Sequence, residues 1–145
     1  SNGAPANPGS YASVFDLNLQ AQGKLDIQPV EYRLTDATPL DQHGNFWMIN
    51  YFFPGDVDLI ADLDPLAEEF GEGASHSQSE AVERLLEFHY SEQGIALTDT
   101  PPLLLQLDLK LGARNWEGIA RLDEFGFLLV TDKHPGTILG FVATP

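Results

Sequence analysis

The chain has 145 residues and no cysteine, which excludes disulfides, zinc–thiolate sites, iron–sulfur clusters and cysteine nucleophiles. Positive charge is scarce. Seven Lys and Arg stand against 22 Asp and Glu, and a formal net charge of −15 repels nucleic acid and anionic lipid while favouring cations and cationic partners. No apolar run approaches the ~20 residues that a membrane helix requires, so a membrane partner is not expected. A P-loop, a Gly-x-Gly-x-x-Gly fingerprint and a His-Glu-x-x-His motif are all missing, and His43, His76, His89 and His134 lie far apart. Gly73-Ala74-Ser75-His76-Ser77 lacks the second glycine of a nucleophile elbow. Nucleotide, zinc and serine-hydrolase chemistries therefore have no motif to stand on.

What is present is a globular composition, 43% apolar and 20% charged, in a length that suits one domain with a packed core. Ser1 to Ser10 hold two prolines, two glycines and no large apolar side chain, which predicts a flexible N-terminal segment over 1–10 and a folded domain over 11–145. From Tyr11 onward the apolar residues mostly alternate, through Val14, Leu17 and Leu19, then Leu25, Ile27, Val30 and Tyr32, then Phe46, Met48 and Tyr51-Phe52-Phe53. Period two predicts strands. Turn signals fall between them at Gln22-Gly23, His43-Gly44, Pro54-Gly55, Gln93-Gly94, Phe125-Gly126 and Pro135-Gly136.

Residues 56–80 break this pattern with eight carboxylates: Asp56, Asp58, Asp62, Asp64, Glu68, Glu69, Glu72 and Glu80. Asp64 before Pro65 predicts an N-cap and first helical position, hence a short helix through Phe70 inside an acidic insertion. An EF-hand comparison fails, because the glycine after a third ligand and the terminal bidentate glutamate are missing. Glu80 to Phe88 fits a helix after the capping box Ser77-Gln78-Ser79-Glu80, or a strand by the shared parity of Val82, Leu86, Phe88 and Tyr90. An internal repeat favours the strand.

Setting Gly44 on Gly126, a shift of 126 − 44 = 82, places Leu40-Asp41 on Leu122-Asp123 and Asn50 on Asp132. Setting Gly23 on Gly94, a shift of 94 − 23 = 71, places Val14 to Leu17 on Leu85 to Phe88. A repeating unit of roughly 40 to 50 residues with four strands is the signature of a β-propeller blade. The expectation is an all-β fold, a partial β-propeller of two and a half to three blades with a short helical insertion. Ser13 to Tyr32 would supply outer strands of one blade, Arg33 to Phe53 with Ala81 to Leu109 a second, and Asn115 to Val142 the start of a third. Propellers close with about four to eight blades. The partners expected are accordingly the chain itself or the missing blades of a larger propeller.

The segment Asn115-Trp116-Glu117-Gly118 through Phe125-Gly126 to Thr131-Asp132-Lys133 resembles a recurring blade of the bacterial phytase-like β-propellers, the group described by esterase-like activity of phytase. Arg33-Leu34-Thr35-Asp36-Ala37 followed by Phe46-Trp47-Met48-Ile49 looks like an earlier blade of such proteins, and together the two stretches cover about half of the chain. The resemblance implies a six-bladed propeller with carboxylates around the mouth of its channel, which bind calcium in the true phytases. This chain would match the C-terminal part.

Glu117 at the start of one strand and Asp132 at the end of its neighbour would share one rim of the sheet, and calcium takes six to eight oxygen ligands of this kind. Glu117, Asp132 and Asp36 are therefore the candidate metal ligands, with solvated or hydrogen-bonded turn residues as the plainer account. Trp116, Lys133 and Asn50 are the candidate ligand-binding residues. Trp116 reads more naturally as core, and Lys133 with His134 either as a phosphate contact or as an ordinary loop pair. Two functions follow as expectations. One is a non-catalytic propeller segment binding a ligand, cation or partner at its rim. The alternative is a calcium-dependent hydrolase of a small phosphoester or ester, in which a metal-bound water attacks. An extracellular or periplasmic location is carried with them.

Overall fold

The computed structural model describes residues 8–144, so most of the expected flexible segment lies outside the described residues. Strands β1 (Tyr11–Phe15) and β2 (Ala21–Asp26) pair as an antiparallel hairpin. A central sheet follows in the up-and-down order β3 (Arg33–Ala37), β4 (Asn45–Phe52), β5 (Val82–Ser91) and β6 (Gly94–Leu97), with the short β7 (Leu103–Leu104) pairing to β5. A C-terminal sheet is made by β8 (Trp116–Leu122), β9 (Gly126–Thr131) and β10 (Leu139–Ala143). The fold is thus mostly β, in three small antiparallel sheets, none of them closed.

The insertion is helical where the sequence places it. After a 3-10 turn over Pro54–Leu59, helix α1 (Pro65–Phe70) starts with Pro65 in its first turn, and the Asp64 carboxylate accepts from the Leu66 N–H at 3.1 Å. A second short helix, α2 (Gly73–His76), returns the chain to the sheet. Of the ambiguous stretch Glu80 to Phe88, the part from Val82 is strand, because both of its faces are buried in a ladder running from Asn45↔His89 to Phe52↔Val82. The Ser79 hydroxyl accepts from the Ala81 N–H, so the capping-box residues form a turn rather than a helix start. The expected turn at Gln22-Gly23 is also corrected. The hairpin reverses at Asp16, whose carboxylate accepts from the N–H groups of Asn18 and Gln20, both at 2.9 Å, and Gly23 lies within β2.

Alternation along β4 and β5 builds two apolar clusters on opposite faces of the central sheet. Trp47, Ile49, Tyr51 and Leu85 pack against Trp116, Phe127 and Leu129 of the C-terminal sheet. On the far side Phe46, Leu86 and Phe88 pack with Val30, Met48 and Leu66. The C-terminal sheet closes tightly at Gly126, where an added Cβ would collide with the Val142 carbonyl oxygen.

Two adjacent charges on β5 point into these two faces. Glu83 is 0% exposed, and its carboxylate accepts from the Arg114 backbone N–H at 2.8 Å, from Arg114 Nε at 2.8 Å and from Trp116 Nε1 at 2.7 Å. Arg84 is 2% exposed and binds Asp64 at 2.6 Å and its cross-strand neighbour Asn50 at 2.7 Å. Removing one partner of such a buried pair leaves a charge without compensation, at a cost of about 3–5 kcal/mol. Glu83→Ala is expected to lower the unfolding free energy by about that amount in urea titrations, whereas a substitution at the exposed Glu92 should leave it within about 0.5 kcal/mol.

Candidate functional site

The residues expected at a rim lie on β3, on β8 and just after β9. No ladder joins β3 to β8; side chains of β3 satisfy the backbone of β8 instead. The Thr35 hydroxyl donates to the Trp116 carbonyl at 2.8 Å, and Asp36 Oδ2 accepts from the Ile119 N–H at 2.8 Å. Gly118 accommodates its β9 neighbour rather than β3: a Cβ there would meet Val130 Cγ1 at 2.7 Å, whereas Asp36 Oδ2 would lie at 3.9 Å. Glu117 occupies the irregularity in the β8–β9 register between Trp116 and Gly118, and it is exposed. Asp132 lies at the same end of that strand pair, its N–H donating to the Asn115 carbonyl at 3.3 Å.

Asn115 joins these groups to the core. Its side-chain oxygen accepts from the Tyr51 hydroxyl, and its amide holds the Asp132 carboxylate below the usual carboxylate range, helped by the His134 N–H. Burial raises the Tyr51 hydroxyl, and the nearby Glu117 and Asp56 carboxylates add to that, against the Arg33 guanidinium, which lowers it. Arg33 is itself paired with Asp56 at 2.5 Å. Glu117 and Asp132 thus lie at one end of the β8–β9 pair, while Asp36 meets β8 farther along, at Ile119. Among the described residues no group of three or more His, Asp or Glu side chains is arranged to hold a metal ion.

The candidate ligand-binding residues do not converge. Asn50 is completely buried, donating to the carbonyls of Glu31 and Arg33 and accepting from Arg84, so its amide orders the sheet interior. Trp116 is core, and its indole N–H is engaged by Glu83. Lys133 stands exposed in the β9–β10 loop beside His134.

A concave site lies elsewhere, between the helical insertion and the even-numbered face of β5. This cleft has a volume of about 400 Å³ and is lined by Tyr32, Asp62, Asp64, Glu68, Glu72 and Glu80, with Arg84 and His76 at its base. Of its five carboxylates, Asp64 is bound to Arg84; the other four are exposed. Tyr32 adopts φ +73, a left-handed conformation that costs a non-glycine residue about 1–2 kcal/mol, and such strain concentrates at functional positions. Its ring covers the Arg84 guanidinium at 5.3 Å and contacts Phe52 at 5.3 Å. Burial, reinforced by Asp64, pushes its hydroxyl up to about 12, so Tyr32 remains a hydrogen-bond donor at neutral pH.

Sequence reasoning missed this cleft by treating residues 56–80 as solvated. The available signal was Arg84, a charge in the inward parity of an otherwise apolar strand facing an acidic insertion. No protein-family model, curated protein or solved structure matches the chain.

His76 provides a pH readout of the cleft floor. Its ring is buried against Glu83, with Nε2 at 3.0 Å from both the backbone N–H and the carbonyl oxygen, and desolvation holds its pKa below 6.5, with Arg84 and Arg114 acting in the same direction against Glu83. Because the unfolded chain binds this proton more readily than the folded one, stability should fall as pH drops below about 6.5. Melting temperatures measured from pH 8 downward should show this decline, and His76→Gln should reduce its slope in that window.

Proposed function

We propose that the chain is a non-catalytic binding module, built as part of a propeller-like stack of sheets, and that its ligand is a cationic group received by the acidic cleft. The observation that carries this reading is the cleft itself: five carboxylates surround about 400 Å³, and Arg84, the one Lys or Arg among its lining residues, is already ion-paired. That volume lies within the range of small-molecule sites, ~300–1,000 Å³. An amine or guanidinium entering it meets carboxylates and the Tyr32 hydroxyl oxygen as acceptors, while the −15 charge of the chain speeds its encounter.

The propeller part of the reading is supported by order and stacking. The three sheets follow one another along the chain, the central and C-terminal sheets pack face to face, and their first strands β3 and β8 lie side by side. The phytase-like resemblance accounts for the same segmentation, with Asn-Trp-Glu-Gly at the start of β8. Its hydrolase alternative draws on Glu117 and Asp132 sharing one end of the β8–β9 pair, and would need calcium bridging them with Asp36.

Calorimetric titration with spermidine and with arginine methyl ester tests the cationic reading. Binding is expected, weakening as salt rises, and Glu72→Gln combined with Glu80→Gln should reduce affinity roughly tenfold. Absence of binding by both probes at low salt would overturn it. Calcium provides the separate test of the alternative: a rise in melting temperature at millimolar calcium, abolished by Asp132→Asn, together with cleavage of a phosphoester or ester, would favour the hydrolase, whereas the binding-module reading expects neither.

A further inference from the structure

Among the described residues, Glu31 is the one buried charge without a counter-charge. Glu83 is met by Arg114 and Arg84 by Asp64, whereas Glu31, only 8% exposed, forms no ion pair. Its Oε2 accepts from the Ala61 N–H at 3.2 Å, and its Oε1 accepts no hydrogen bond. Since no fully buried side-chain oxygen of the described residues lacks a partner, Oε1 keeps contact with solvent. A carboxylate withdrawn this far from bulk water is costly unless a cation meets it.

Glu31 lines a second cavity, of about 710 Å³, that shares the wall α1 with the cleft. The helical period divides the two. Leu66 and Phe70, four residues apart, line the cavity, while Ala67, Glu68 and Gly71 line the cleft. Apolar lining comes from Pro29, Val30, Pro65, Leu66, Phe70 and Leu97. Val30, Leu66 and Leu97 belong to the apolar cluster on the far side of the central sheet, so the cavity is an uncovered margin of that cluster. Phe70 is 38% exposed and belongs to neither cluster. Several of the polar groups are already engaged: Asp64 by Arg84, the Thr98 hydroxyl by Glu87 at 2.8 Å, and Gln28 Oε1 by the Leu97 N–H at 3.0 Å. No Lys or Arg lines the cavity, and the charges left without an ion pair are the carboxylates of Glu31, Glu69 and Asp99.

We propose that this cavity is a second binding site, for an organic monocation with an apolar body. The ammonium meets Glu31, and an aryl or alkyl group lies against Leu66, Phe70 and Leu97. The volume lies within the ~300–1,000 Å³ of small-molecule sites, and apolar walls with a few placed polar groups are their usual lining. A neutral analogue gains the apolar contact but leaves Glu31 without a counter-charge, and an anion of the same shape is repelled by three carboxylates. The site is separate from the cleft, because the two linings share Asp64 alone.

Titration of the isotope-labelled full chain with phenethylamine, followed by amide NMR shifts, tests this proposal. Saturable shifts at Leu66, Phe70 and Leu97 are expected. Phenethyl alcohol should bind at least about tenfold more weakly, and phenylpropionate should not bind. Glu31→Gln keeps an acceptor for the Ala61 N–H and should weaken phenethylamine about tenfold. Phe70→Ala, at a half-exposed position outside both clusters, should weaken it about fivefold. If Glu31→Gln fails to fold, Phe70→Ala and the two control ligands still decide the question. No saturable shift, shifts confined to cleft residues such as Glu72 and Glu80, binding of the alcohol as tight as that of the amine, or full affinity in either folded variant overturns the proposal.

Discussion

The carboxylate of Glu83 sits near the start of β5, out of water, and the arrangement of the two larger sheets follows from satisfying it. An ionised carboxylate in an apolar interior is tolerated only when donors surround it. Here those donors are the backbone and guanidinium of Arg114 and the indole of Trp116, all from the segment that leads into β8. Their convergence places Trp116 against Leu85 and Trp47 and thereby sets the C-terminal sheet on the odd-numbered face of the central one. The hydrophobic contact supplies most of the association energy, while the carboxylate fixes where it occurs.

Arg84, the next residue, applies the same constraint to the opposite face. Its guanidinium needs an acceptor, and Asp64 supplies one from the insertion while also capping α1. One aspartate thus starts a helix, neutralises a buried arginine and anchors the wall of the cleft. The acidic insertion is held to the sheet by this pair, leaving its other carboxylates turned toward solvent around a cavity floored by Arg84 and His76. Fold stability and candidate function meet at adjacent residues on one strand.

Local chemistry was legible in the sequence and distant pairing was not. The start of α1 could be read because Asp64 and Pro65 act within one turn, and the strands could be read because alternation reports burial directly. The hairpin turn was misplaced because a glycine signal competed with the Asp16 side chain, and the side chain prevailed. In sequence Arg84 stands out only as a charge in the inward parity of β5, and Glu83 looks like an ordinary exposed residue. Their partners Arg114 and Asp64 lie 31 and 20 residues away, and nothing in periodicity identifies them. Glu117 and Asp132 lie at one end of the β8–β9 pair and Asp36 does not, while Asn50 is an interior residue because its side chain faces Arg84 across the ladder.

The central claim is that Glu83 and the Trp116 indole act as a coupled pair that joins the two sheets. A double-mutant cycle of Glu83→Gln and Trp116→Phe, read by equilibrium unfolding, measures that coupling directly. The account predicts a coupling energy of about 1.5 kcal/mol or more, in keeping with a hydrogen bond to a buried charge. Strictly additive losses, with both single variants destabilising the chain, would contradict it.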